Sequence, residues 1–88
     1  MIDMELRDTV NGMLSANHLE RLEAEFEQVR IRAWKLCEML MKWDLGMLDF
    51  TPTCPKELLK DQYDAMIRYA QILNMRITLE KKAEGEKE

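Results

Sequence analysis

The sequence contains few of the residues that interrupt helices. Among 88 residues there are 3 glycines and 2 prolines. Both prolines lie in one short segment, residues 48–57 ("LDFTPTCPKE"), which also holds two threonines and a cysteine. Because glycine and proline are the strongest local breakers of regular structure, the long segments on either side of residues 48–57 are free to be helical.

Histidine and cysteine are also scarce, which limits the catalytic and metal-binding chemistry available to the chain. His18, Cys37 and Cys54 are the only such residues, and the cysteines form no C-x-x-C pair. A structural zinc site usually needs four Cys or His ligands, which this chain does not supply. His18 also stands more than ten residues from either cysteine, so no local base would activate a thiol nucleophile. We therefore expect a protein that is not an enzyme and that uses no metal and no cofactor.

Strong positive charge and long apolar runs are also absent. The sequence has 13 basic and 17 acidic residues and a formal net charge of -4, which disfavours duplex nucleic acid as a partner. No run approaches the roughly 20 apolar residues that span a bilayer. The N-terminus lacks the basic-then-apolar pattern of a signal peptide. We expect no membrane partner and a cytoplasmic location.

Apolar residues recur at helical spacing through residues 15–44, which predicts a first long helix. The intervals alternate between three and four residues, the pattern of a heptad repeat. Ser15 or Asn17 is positioned to cap the first turn, Asn17 with Glu20 as its reciprocal partner. Gly46 is available to end the helix in a left-handed conformation. The apolar series, helix one's seam, is Leu19, Leu22, Phe26, Val29, Ala33, Leu36, Leu40 and Trp43.

A second helix is predicted over residues 55–79, starting at Pro55 because proline is favoured at the first helical position. Residues 45–54 form the corner, and residues 1–79 form a single domain followed by a charged tail, residues 80–88, that we expect to fray. A short helix is predicted over residues 2–10, docked on the hairpin or on another subunit. Helix two carries one apolar seam and a second stripe: Leu59, Tyr63, Met66, Ala70, Leu73 and Ile77, then Leu58, Ala65, Tyr69, Ile72 and Leu79.

The order of charges favours an antiparallel hairpin. Acidic residues dominate the first half of helix one and basic residues its second half, while helix two begins with Glu57, Asp61 and Asp64. Folding back places opposite charges side by side, although each surface pair contributes at most about 1 kcal/mol. The expected fold class is all-α: an antiparallel hairpin of two long helices with a short N-terminal helix or arm.

This hairpin has more apolar surface than one pair of helices buries. A large exposed apolar patch usually marks an interface, so we expect a homo-oligomer in which hairpins pack together. A groove for a partner's helix is the alternative use. The residues predicted at the protein interface are Ile31, Trp34 and Met41 on helix one, and Leu58 and Ile72 on helix two.

The corner and helix two also carry side chains suited to a nucleotide. A helix N-terminus offers free backbone N–H groups to phosphate, arginine binds phosphate through paired hydrogen bonds, and aromatic rings stack on bases. The alternative is structural: a threonine caps, the prolines stiffen the turn, and the arginines pair with glutamates of helix one. The predicted ligand-binding residues are Thr51, Thr53, Lys56, Tyr63, Arg68, Tyr69 and Arg76.

Two resemblances to known families rest on these same segments. Residues 42–77, "KWDLGMLDFTPTCPKELLKDQYDAMIRYAQILNMRI", resemble small phage and prophage proteins, and "LSANHLERLEAEFEQVRIRAWKL" is similar to their first helix. More loosely, "TCPKELLKDQYDAMIRYAQIL" is similar to the anti-CBASS and anti-Thoeris sponges of phages, with Pro55, Glu57 and Tyr69 at comparable places. Those sponges are short helical hairpins that form homo-oligomers and hold cyclic oligonucleotide signals between subunits.

The resemblance implies a phage-encoded, non-enzymatic binding protein in the cytoplasm of a bacterial host. Its most concrete form is a sponge that sequesters a cyclic di- or trinucleotide immune signal and so weakens host defence. The alternative is a protein–protein module, either an inhibitor of a host protein or a small phage scaffold or accessory protein. In that case the partner is a host protein or another phage component instead of a nucleotide.

Overall fold

The computed structural model describes residues 4–86, which fold into helices joined by turns. A 3-10 turn, Leu6–Thr9, leads into α1, Val10–Met13. Two long helices follow: α2 spans His18–Asp44 and α3 spans Lys56–Glu86. There is no strand in residues 4–86, so the all-α prediction is confirmed there. Within this described part of the chain, none of the helices has the length and apolarity needed to cross a bilayer.

The first turn of α2 is capped by two side chains. Asn17 is the N-cap, and its Oδ1 accepts a hydrogen bond of 3.0 Å from the Glu20 N–H. The Ser15 hydroxyl accepts from the Asn17 N–H at 3.0 Å and donates to the Glu20 carboxylate. Of the two caps that the sequence allowed, Asn17 is the one that forms, and Ser15 supports it. Such a cap stabilises a helix by about 1 kcal/mol.

The end of α2 is a Schellman motif around Gly46. The Met47 N–H donates to the Lys42 carbonyl at 2.8 Å, and the Gly46 N–H donates to the Trp43 carbonyl at 3.1 Å. Gly46 has a φ of 70°, a left-handed conformation that a Cβ disfavours. The left-handed termination predicted at Gly46 is confirmed, and it turns the chain sharply into the corner before α3.

The core lies between α2 and α3. Its buried residues are Leu22 and Val29 of α2 with Leu73 and Ile77 of α3, and Leu73 is completely shielded from solvent. Every residue of this core belongs to one of the two predicted seams, so the heptad spacing identified the contact surface correctly. The partly buried residues that pack against it are Leu19, Phe26, Met66 and Ala70.

The far end of α3 extends beyond its predicted boundary. We placed the end of helix two at residue 79 and expected residues 80–88 to fray, whereas α3 continues to Glu86. Glu80 Oε1 lies 3.6 Å from His18 Nε2, and Lys81 Nζ lies 3.5 Å from Glu23 Oε2, so this segment has partners on α2. These contacts at the start of α2 also show that the hairpin is antiparallel. Residues 87 and 88 of the predicted tail lie outside the described residues.

The N-terminal segment docks on α2 and gives that helix a second contact surface. The buried Thr9 donates its hydroxyl to the Leu6 carbonyl at 2.7 Å and accepts from Gln28 Nε2 at 3.0 Å. Lys35 Nζ pairs with Glu5 Oε2 at 3.3 Å. Of the helix predicted over residues 2–10, residues 6–10 are in helical turns, and the helical segment continues to Met13. Residues 2 and 3 of that prediction lie outside the described residues.

Gly12 sets how closely the N-terminal segment approaches α2. A Cβ built on Gly12 would lie 2.8 Å from the Ala24 Cβ, closer than real Cβ atoms approach. We expect Gly12→Ala to lower the free energy of unfolding by about 1–3 kcal/mol, the usual cost of overpacking. Urea denaturation followed by circular dichroism measures this change.

Gly85→Ala is the matched control for that substitution. Nothing lies within 4 Å of a Cβ built on Gly85, and alanine favours a helix over glycine by about 1 kcal/mol. The control should therefore be neutral or slightly stabilising. Equal destabilisation by both variants would contradict the close contact at Gly12.

Candidate functional site

A shallow groove of about 330 Å³ opens at the corner between α2 and α3, and we call it the corner groove. Thr51 and Thr53, two of the predicted ligand-binding residues, line it and are exposed. The Phe50 ring beside them is 53% exposed. Hydroxyls next to apolar surface suit a sugar or an aromatic base. The complete lining is Met39, Phe50, Thr51, Pro52, Thr53, Cys54 and Leu59.

Lys56, predicted to bind a phosphate, is already engaged at the end of the hairpin. Its Nζ lies 2.9 Å from Asp44 Oδ1 and 5.0 Å from the centre of the Trp43 ring. The hydrogen bond from Lys56 holds the pKa of the Asp44 carboxyl below its usual value of 3.8. Lys56 therefore joins the start of α3 to the end of α2, and its charge is partly neutralised there.

The lowered pKa of Asp44 gives a direct test of this pairing. Because the folded-state pKa lies below 3.8, the pair stabilises the hairpin above pH 3.8, and that contribution is lost as the pH falls through the folded-state pKa. We expect Lys56→Met to move the pKa of Asp44 back toward 3.8, as measured by NMR titration. Lys60→Met is the control, since Lys60 lowers the pKa of Asp44 less than Lys56 does, and it should move that pKa less than Lys56→Met.

The two tyrosines predicted to stack on a base lie on different faces of α3. Tyr63 is half-buried and belongs to the apolar seam of helix two that packs on α2, which we call the inner seam. The Cys37 thiol, together with burial, raises the pKa of the Tyr63 phenol above the usual value of 10.0. Tyr69 belongs to the second stripe and is 42% exposed. Tyr69 is therefore the ring accessible to a base, and Tyr63 is part of the contact between the helices.

A second groove, of about 240 Å³, lies near the open end of the hairpin, and we call it the arginine groove. Arg76 of α3 and Arg21 of α2 both line it, so two guanidinium groups border one space. Arg21 also donates from Nη1 to the Ser15 carbonyl at 2.8 Å, which holds its side chain at the start of α2. Two adjacent arginines suit the oxygens of a phosphate. The groove is completed by Met13, His18, Leu22 and Glu25.

The structural alternative for the arginines finds no support on α2. Neither Arg68 nor Arg76 forms an ion pair with a glutamate of His18–Asp44, all of which is described. Arg68 is exposed on α3. These two predicted ligand-binding side chains are therefore not committed to α2.

The predicted ligand-binding residues do not meet in a single chain. Arg76 follows Lys56 by twenty positions on α3, which is about 30 Å at the helical rise of 1.5 Å per residue. Thr51 and Thr53 lie at the corner end and Arg76 toward the other end. The corner groove and the arginine groove are thus separate and share no side chain.

Most residues predicted at a protein interface are exposed, and one is not. Trp34 is 50% exposed, Met41 57%, Leu58 57% and Ile72 42%. Ile31 is only 2% exposed, so its assignment as a surface anchor is wrong for the folded chain. The reason is its position between Gln28 and Lys35, two side chains of α2 that bond to the N-terminal segment.

Arg21 was not among the residues predicted to bind a ligand, although it shares a groove with Arg76. Arg21 comes directly before the seam residue Leu22, and Arg76 comes directly before the seam residue Ile77. In an antiparallel pair of helices, residues that precede facing seam residues border the same side. This spacing was therefore a usable signal, and it was not combined across the two helices.

The fold defines a small helical hairpin protein with a groove toward each end. Residues 16–79 match the family model named Sequestin. The match covers all of α2, the corner and most of α3, so the chain belongs to the Sequestin family. The family's name denotes sequestration and so indicates a binding role. Comparisons with curated proteins and with solved structures found no match.

Proposed function

We propose that this protein is a phage-encoded sponge that binds a cyclic nucleotide immune signal of a bacterial host and holds it unchanged. The observation that carries the proposal is the Sequestin match over residues 16–79, because it covers all of α2, the corner and most of α3. The resemblance of residues 53–73 to sponge hairpins points to the same class of ligand. Sequestration needs stoichiometric binding and no chemical step.

The side chains of the two grooves support this ligand chemistry. Arg76 and Arg21 offer guanidinium groups to phosphate oxygens. Tyr69, two helical turns before Arg76, offers an exposed ring to a base. Thr51 and Thr53 offer hydroxyls to a ribose or to the edge of a base. A cyclic nucleotide is a compact ligand that combines phosphate, ribose and base.

The proposed binding form is a homo-oligomer. Leu59 of the corner groove and Arg76 of the arginine groove both lie on α3. They are about 25 Å apart along the helix, which is too far for one compact ligand to contact both grooves. Exposed apolar side chains such as Leu58, Ile72 and Trp34 would be covered if hairpins packed together. That packing would also bring grooves from different copies together.

Native mass spectrometry of the purified protein, alone and with a panel of cyclic di- and trinucleotides, tests the proposal. We expect a defined oligomer that gains stoichiometric nucleotide at micromolar protein. The bound nucleotide is then released by heat and analysed by liquid chromatography, and we expect it to be recovered intact. An oligomer that binds none of the panel, or a ligand recovered hydrolysed, would overturn the sponge.

The arginine groove is tested by substitution in the same assay. We expect Arg76→Ala to weaken binding by about 10- to 100-fold, the loss that accompanies removal of one charged hydrogen-bond partner worth about 1.5–3 kcal/mol. Arg7→Ala is the matched control, because Arg7 is exposed on the N-terminal segment and lines neither the corner groove nor the arginine groove. Equal affinities for the two variants would remove Arg76 from the site.

The second candidate function is inhibition of a host protein, and the exposure of Trp34 is the observation that favours it. Trp34 is half-exposed and lies two helical turns before the exposed Met41 on α2. An exposed tryptophan of this kind is typical of the residues that dominate binding at protein interfaces. This alternative predicts that one host polypeptide co-purifies with the protein at a stoichiometric ratio. Co-purification should be lost with Trp34→Ala and retained with Leu14→Ala. Leu14 is 78% exposed and lies outside α2 and α3.

A further inference from the structure

An exposed apolar stripe runs along α3. Leu58, Ala65, Ile72 and Leu79 recur every seven residues, Tyr69 lies among them, and all five are exposed. We call these five residues the outer stripe. A seven-residue repeat is the spacing that keeps one line of side chains facing a partner helix. The helix facing the inner seam is α2. The outer stripe has the spacing of a second helix contact, and no helix within residues 4–86 covers it.

Both grooves lie on the side of the hairpin that carries this stripe. Each outer-stripe residue from Leu58 to Ile72 comes directly before a residue of the inner seam, for example Ile72 before Leu73. Arg76 stands in the same relation to the seam, and so does Met39 of the corner groove, which precedes the buried Leu40. A partner seated on the outer stripe is therefore next to both grooves.

The outer stripe is symmetric about its own midpoint. The midpoint of Leu58 and Leu79 is also the midpoint of Ala65 and Ile72, and it falls between positions 68 and 69. In a two-fold interface both copies use the same surface, so that residue i contacts j and j contacts i. An antiparallel copy of α3 with its axis at this midpoint covers the stripe from end to end in both chains.

Charges beside the stripe select the antiparallel direction. Asp61 comes three positions after Leu58, Arg76 comes three positions before Leu79, and both are exposed. An antiparallel copy places Asp61 against the partner's Arg76 at both ends of the contact. A parallel copy places Asp61 against Asp61 and Arg76 against Arg76. Charges that flank a helix seam set the orientation of the partner helix, so the like-charged arrangement is disfavoured.

We propose that a second copy of this chain covers the outer stripe, with the two α3 helices antiparallel about an axis at Arg68 and Tyr69. The helix contact itself is independent of the proposed function. The statement that the second copy completes a ligand site rests on the proposed function. The partner's Arg76 then lies opposite Asp61, five residues or about 8 Å along α3 from Lys56. Each corner groove therefore adjoins the partner's arginine groove, and the dimer holds two equivalent composite sites.

Site-directed crosslinking tests the arrangement. In a background of Cys37→Ala and Cys54→Ser, single cysteines are introduced at Tyr69, Leu58 or Leu79. The probe is a bifunctional thiol reagent that joins helices packed about 8–10 Å apart. We expect Tyr69→Cys to crosslink to itself, because it lies at the axis. Leu58→Cys should crosslink only when mixed with Leu79→Cys, because its own copy is about 30 Å away across the axis.

Each other pattern overturns the arrangement. A crosslink of Leu58→Cys to itself would show a parallel pair. A dimer in sedimentation equilibrium that gives none of these crosslinks would place the contact on another face, such as that of Trp34. A monomer at micromolar concentration, with circular dichroism that shows a folded hairpin, would remove the dimer.

The crosslinks and the nucleotide assay fail independently. The expected crosslinks in a protein that binds no cyclic nucleotide would support the dimer and overturn the sponge. Nucleotide binding by an oligomer that crosslinks Leu58→Cys to itself would support the sponge and overturn this arrangement.

Discussion

Leu73→Ala is expected to lower the free energy of unfolding by about 3–5 kcal/mol, the upper part of the range for leucine-to-alanine substitutions that leave a cavity in the core. Leu73 is completely shielded from solvent at the centre of the core, where Leu22, Val29 and Ile77 surround it. A domain of this size has a total stability near the lower end of about 5–15 kcal/mol. The variant should therefore lose most of its folded population on moderate warming, as measured by circular dichroism and urea denaturation.

The control for this truncation is Leu14→Ala. Leu14 is 78% exposed, and a surface substitution of this kind usually changes stability by less than about 0.5 kcal/mol. Both variants must be compared at one protein concentration, because association with another copy adds to apparent stability by mass action. Coincident unfolding curves for the two variants would show that Leu73 is not at the centre of the core.

The fold was largely predictable because its main contact repeats along the sequence. The seams containing Leu22 and Leu73 follow the period of a helix, and the period alone identifies the buried face. The extension of α3 to Glu86 was not predictable in this way. It involves Lys81 and its contact with Glu23, a residue far away in sequence whose position becomes known only when the hairpin has closed.

The site was less predictable, because residue type does not reveal which side chains are already engaged. Lys56 has the chemistry of a phosphate ligand, yet it pairs with Asp44 across the corner. Ile31 has the chemistry of an interface anchor, yet it is buried on the face of α2 that the N-terminal segment contacts. Arg21 became a candidate only when the folded chain placed it beside Arg76. In each case a tertiary contact, absent from any local pattern, decides the role.

Ile72→Asp is expected to abolish nucleotide binding by separating the two copies while each hairpin stays folded. Ile72 is 42% exposed in the single chain, so the carboxylate remains hydrated there and the inner seam is undisturbed. In the proposed dimer the same carboxylate would be desolvated opposite the partner's Ala65. A buried unpaired charge costs several kcal/mol, and since 1.4 kcal/mol is tenfold, we expect at least about 100-fold weaker dimerisation. Sedimentation equilibrium and the nucleotide titration measure the two losses together.

Asn74→Asp is the matched control, because it adds the same charge on the opposite side of the same helix. Asn74 is exposed and lies two residues, or about 200°, around α3 from Ile72. It should dimerise and bind nucleotide as the unsubstituted protein does. If Ile72→Asp is monomeric and still binds nucleotide with full affinity, the site is complete in one hairpin and the composite arrangement is wrong. If both variants lose binding equally, the loss comes from added negative charge repelling a phosphate ligand, and the outer stripe is not the dimer contact.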